Sequence, residues 1–142
     1  MNSFYQIFKR EFFINFKKLS NFIMNTFFFF LGILIFIFSI GPDSSLISNF
    51  SNSIIWTIVL FCIILGVEQF FSDDYNDGSL KELLSIGYST EIIILAKILV
   101  MWIFLIFPII LTSPILFVIM QMNFLEYKVL VLSIAIGSPS LL

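Results

Sequence analysis

"FIMNTFFFFLGILIFIFSI", residues 22–40, decides the fold. It runs without a charge, and a helix rising 1.5 Å per residue needs about 20 such residues to cross a ~30 Å hydrocarbon core. Barrel strands would alternate polar and apolar residues, which this stretch does not do. Lipid offers backbone amides no water, so the helix is the only form left. The rest of the chain agrees. Of its 142 residues, 60% are hydrophobic and only 11% charged, against ~25% charged in an ordinary soluble domain. The mean hydropathy of +1.10 makes lipid the solvent of most of the chain.

Working outward, Gly41-Pro42 predicts the end of this first span. Residues 41–49 read as a short connection without Lys or Arg, and 50–67 as a second span that Ser51 or Ser53 would cap. A third span covers 92–120, interrupted only by Lys97. Residues 121–128 form another connection, and 129–142 read as a partial fourth span, short for a crossing, in a chain that looks cut off. The expected architecture is all-α: a polytopic helical membrane protein with three complete transmembrane helices and part of a fourth, in one domain (1–142). Residues 4–19 mix Phe4, Phe8, Phe12, Ile14 and Phe16 with Lys9, Arg10, Lys17 and Lys18, the pattern of an amphipathic interfacial helix. The apolar run that follows is too long for a signal peptide and lacks its cleavage pattern, so a retained span is expected.

Lys and Arg in short flanks orient the spans. The N-terminal flank has four, residues 41–49 none, and 68–91 have Lys81 with Lys97 close behind. The N-terminus and residues 68–91 therefore read as inside, with Lys97 snorkelling to that face.

Residues 68–91 are the odd segment. Glu68, Asp73, Asp74, Asp77 and Glu82 are five of the chain's nine acids. Asp77-Gly78 suits a turn, Ser79-Leu80-Lys81-Glu82 has the form of a capping box, and Leu80, Leu83 and Leu84 share a helical edge. A short helix over 79–86 follows, with Ser89 or Thr90 capping the next span. A solvated connection would show the same pattern. The sharper reading is a lever through which a partner moves the membrane helices. The chain has no G-x-x-x-x-G-K-[ST] loop to cradle ATP, so energy would come from another subunit. The carboxylates lack the spacing of a calcium loop. The sequence contains no histidine and one cysteine, Cys62, so haem ligation and an internal disulfide have poor support. No catalytic constellation or nucleic-acid face is present, and the chain reads as no enzyme. Pro108 and Pro114 mark a kink, a candidate hinge or a cavity wall in the third span. Trp56 suits an interfacial anchor, and Trp102 suits packing.

Glu68, Phe71, Asp73-Asp74, Asp77-Gly78-Ser79-Leu80 and Leu83 resemble the signature loop of the haem exporter protein B (CcmB) family. Ser39-Ile40-Gly41-Pro42, Ile55-Trp56, Ala96-Lys97, Ser113-Pro114 and Gly137-Ser138-Pro139 extend the resemblance in order along nearly the whole chain. Gln69 and Ser72 depart from it, standing where members commonly have basic residues. The resemblance implies the membrane subunit of an ABC-type complex of cytochrome c maturation, in a bacterial or mitochondrial inner membrane. It implies an ATPase partner that docks on Glu68, Phe71, Asp73, Asp74, Asp77, Gly78, Ser79, Leu80, Leu83 and Leu84, a haem-handling membrane subunit and a haem chaperone. ATP would be bound by the partner, and haem would be substrate of the complex and not a resident cofactor. The competing expectations are a helical scaffold without transport, or an inactive piece of a larger permease.

Overall fold

The computed structural model describes residues 2–17, 19–41, 44–76, 78 and 89–142. Among these it contains α-helices α1 (Asn2–Lys17), α2 (Leu19–Ile40), α3 (Ser44–Asn76), α4 (Thr90–Ile119) and α5 (Phe124–Gly137), then a 3₁₀ turn, Ser138–Leu141, and no strand. Within the same residues, α2, α3, α4 and α5 with its 3₁₀ extension are each long and apolar enough to cross a membrane. The chain is a polytopic helical membrane protein.

Three boundaries differ from the sequence reading. The second span does not stop at Val67. Helix α3 has 33 residues, which at 1.5 Å each is about 50 Å, well beyond a ~30 Å core. Glu68, Gln69, Phe70 and Phe71 all tolerate a helix, and the described chain leaves it only at Gly78, whose φ of 68° is cheap for glycine alone. At its other end α3 starts at Ser44, so Ser51 and Ser53 lie inside it and cap nothing. The Ser51 hydroxyl instead donates to the Ser48 carbonyl at 2.7 Å.

The last helix also starts early, at Phe124. The Asn123 amide donates to the Glu126 carboxylate at 3.3 Å, a reciprocal cap that satisfies an orphan donor of the first turn. The apolar stretch becomes the 18 residues Phe124–Leu141, long and apolar enough to cross a membrane. At α4, Ser89 sits in the N-cap position without a side-chain cap bond. The end of α2 falls as Gly-Pro predicts. Gly41 adopts φ 88°, and its N–H donates to the Ile37 carbonyl at 3.1 Å. The short helix expected over 79–86 lies outside the described residues, as does Asp77.

The spans approach one another where a side chain is missing. Helices α2 and α3 are antiparallel neighbours, with Gly32 against Ile58 and the Cys62 thiol 3.8 Å from the Asn25 carbonyl. A Cβ on Gly66 of α3 would stand 2.5 Å from Leu105 of α4. Small residues of this kind let membrane helices gain van der Waals contact in place of a hydrophobic driving force. Phe29, Ile33, Ile55, Val59, Cys62, Val100 and Ile109 fill the resulting core, while Ile35, Phe38, Leu111 and Val118 face outward, as lipid permits.

Two tryptophans turn out to be joints. Trp102 Nε1 donates to the Ser138 hydroxyl at 2.8 Å. Trp56 lies against Gly137, where a Cβ would meet its ring at 2.8 Å, so it is packed between helices. Pro114 removes the amide that would bond the Ile110 carbonyl. The Ser113 hydroxyl donates to that carbonyl at 2.7 Å and accepts from the Tyr127 hydroxyl at 2.9 Å. The imino acid is thus compensated locally, and α5 is tied to α4 by the same group.

Gly66→Val should lower the unfolding midpoint in detergent, by about 1–3 kcal/mol of overpacking. Adding Leu105→Ala should return part of the loss, because it vacates the space the new methyls need.

Candidate functional site

Helix α1 carries aromatic rings at every fourth position. Phe4, Phe8, Phe12 and Phe16 stack in series with centroids 6.2–6.3 Å apart, since residues i and i+4 share a helix face. Beside this ridge runs a second line, Ile7, Glu11 and Asn15, and all three are buried. That line packs on α4. Ile7 meets Ile93 and Ala96, Glu11 meets Lys97, and Phe12 reaches Phe104, ring to ring at 5.1 Å. Contacts advance in the same order on both helices, so α1 runs in the direction of α4.

Glu11 is the residue the sequence reading missed. Its Oε2 accepts from Lys97 Nζ at 2.9 Å and its Oε1 from Arg10 at 3.2 Å. Glu11 and Lys97 are each only 1% exposed. Lys97 Nζ also lies 5.5 Å from the centre of the Phe70 ring, a cation–π distance. One buried ammonium therefore gathers α1, α3 and α4. This corrects the snorkelling role expected of Lys97, because position 97 faces two other helices and its charge is answered there without reaching water. The need of each for a partner was legible, though not the pairing itself. A carboxylate among bases on an amphipathic helix and a lone lysine in an apolar span each need a partner, and each is the other's opposite.

The acidic segment hangs directly from this knot. Phe70 is buried and touches Phe71 edge-on at 6.1 Å. The helix then continues through Asp73 and Asp74 to Asn76, and the chain re-enters the described structure at Ser89. The start of α4 packs on α1, so both flanks of the segment share one end of the bundle with the N-terminal helix. Glu68, three residues before Phe71, faces elsewhere. It lines a groove with Met24, Asn25, Phe28, Leu65, Gln69 and Ser72. Ser79, Leu80, Leu83 and Leu84 lie, like Asp77, outside the described residues. Pro108 lies at the junction of two apolar cavities, one with Phe22, Ile23, Thr26, Phe27 and Phe30, the other with Phe12, Phe16, Phe22, Phe104, Phe107 and others. Pro114 is exposed and lines neither. Among the described residues no group of His, Cys, Asp and Glu could hold a metal ion. Met101, Met120 and Met122 are buried in the core, and Met24 is exposed.

Fold and site together define an integral helical membrane protein that buries an ion pair between its first helix and α4. The chain belongs to the CcmB family: the model of that family, described as "CcmB protein", matches residues 2–142. Heme exporter protein B of Haemophilus influenzae is 34% identical over 138 residues, which are 97% of this chain and 62% of that protein. The Pseudomonas aeruginosa protein of the same name is 30% identical over 114 residues, covering 80% and 51%. That of Escherichia coli K12 is 32% identical over 99 residues, covering 70% and 45%. The chain thus spans about half the length of the curated relatives it matches.

Lys97→Met should cost up to about 3–5 kcal/mol of stability, because it takes the buried partner from the Glu11 carboxylate and leaves it only the half-exposed Arg10. The double variant Glu11→Leu with Lys97→Met should recover most of that loss, since replacing both partners removes the uncompensated charge. Thermal unfolding of the four proteins in one detergent reads the cycle.

Proposed function

We propose that this chain is the membrane-embedded part of an ABC-type haem exporter of cytochrome c maturation. The observation that carries the reading is the family match over residues 2–142, joined to relatives that bear the name heme exporter protein B. Haem is the substrate of the complex, and a partner ATPase supplies the energy. The chain sits in a bacterial or mitochondrial inner membrane with α1 and the acidic segment on the cytoplasmic or matrix side. A haem-handling membrane subunit and a haem chaperone complete the assembly, and ATP hydrolysis serves release of the loaded chaperone.

The docking surface is formed by Phe71, Asp73, Asp74, Asp77, Gly78, Ser79, Leu80, Leu83 and Leu84. Glu68, which lines the α2–α3 groove, is left out of it. Carboxylates steer a basic partner surface, and the leucines supply the apolar anchor that fixes the pose. Motion of the segment has a rigid route into the bundle. It pulls on α3 at Phe70 and on the first turns of α4, and both meet Lys97, which is bound to α1 through Glu11. Packed elements of this kind shift as bodies and do not deform continuously.

Leu83→Asp should abolish co-purification of the ATPase with this chain while leaving its own melting temperature in detergent unchanged. Undiminished co-purification would remove the docking role and favour a scaffold whose segment 68–91 is only a solvated connection.

A further inference from the structure

We propose that the groove between α2 and α3 is a binding site for a phospholipid whose headgroup carries a primary ammonium. The groove has a volume of ≈ 380 Å³ and is lined by Met24, Asn25 and Phe28 of α2 and Leu65, Glu68, Gln69 and Ser72 of α3. This falls within the ~300–1,000 Å³ usual for ligand sites. Leu65, Glu68, Gln69 and Ser72 stand at i, i+3, i+4 and i+7, so they form one face of α3.

The lining is graded along the helix axes. Phe28 and Leu65 lie toward the middle of the spans, and Met24 extends the same apolar wall. Glu68, Gln69 and Ser72 follow toward the end that bears α1. An amphiphile aligned with the helices has this same order, acyl chain then headgroup.

Asn25 makes the groove a built site. It is only 8% exposed, yet its side-chain amide bonds to nothing within the described residues. Among those residues no fully enclosed polar side-chain atom lacks a partner. The Asn25 amide is therefore not fully enclosed, and Asn25 lines the groove. A buried amide without a partner costs free energy that a bound acceptor would return. The lipid's glycerol ester or phosphate oxygens are acceptors at that depth, with the Gln69 amide and Ser72 hydroxyl beside them. Glu68 then faces the headgroup nitrogen. A carboxylate discriminates a primary ammonium, with three N–H donors, from a quaternary one, which has none. It also repels a headgroup that ends in net negative charge.

Native mass spectrometry of the purified protein tests the proposal, with phosphatidylethanolamine, phosphatidylcholine and phosphatidylglycerol of identical acyl chains offered in equal amounts. Wild type should retain phosphatidylethanolamine in preference to the other two by about tenfold, which corresponds to ~1.4 kcal/mol. Glu68→Gln keeps the shape of an exposed side chain and should erase that preference without moving the melting temperature. Asn25→Leu should lower retention of all three lipids. Equal retention of the ethanolamine and choline lipids by wild type would overturn the proposal, and that reading needs no variant. An unchanged preference in Glu68→Gln would overturn it too. So would site-specific crosslinking from position 69 that captures a Lys- or Arg-bearing helix of a partner protein in place of lipid.

Discussion

A bilayer core contains no water, and that constraint orders everything else in this molecule. Each backbone amide must find its partner inside its own helix, so the spans are continuous and their interruptions are repaired on the spot. The Ser113 hydroxyl on the carbonyl that Pro114 orphans is one such repair, and the Thr112 hydroxyl on the Pro108 carbonyl at 2.9 Å adds another bond in the same turn region. The same lack of water governs side chains. A charge inside the bundle persists only if another charge meets it. Glu11 and Lys97 meet that condition at 2.9 Å, and in doing so they fix where α1 lies.

That ion pair gives the bundle an asymmetry. Most of the helix–helix contact is apolar and shape-driven, with glycines 32, 66 and 137 set against Ile58, Leu105 and Trp56. Such contacts specify proximity but tolerate small sliding. The Lys97 ammonium, held between a carboxylate of α1 and the Phe70 ring of α3, specifies a register. It lies beside the part of α3 that leads into the acidic segment. A lever mounted there acts on three helices at once, and this is why the proposed coupling needs no long pathway through the protein.

The two faces of α3 near that end have different work. Phe70 turns inward to the knot, and Glu68, Gln69 and Ser72 turn to the groove with α2. Glu68 is the one charged residue of that groove's lining, and its carboxylate suits the ammonium end of the proposed phospholipid.

The sequence by itself determined the solvent, the helical class and most of the crossings, because those follow from run length and composition: 22–40 cannot be anything but a span. It also carried the family, through residues spread from Ser39 to Pro139. Boundaries were less legible. Acids at 68–74 looked like the start of a loop, yet nothing in them breaks a helix, and α3 ran on to Asn76. Asn123 with Glu126 was a readable cap that an apolar count starting at residue 129 passed over. The pairing of Glu11 with Lys97 was decided only by tertiary structure. The two residues are 86 positions apart, and no periodicity links them. What joins them is the packing of α1 along α4, which removes both charges from water and leaves each as the other's compensation.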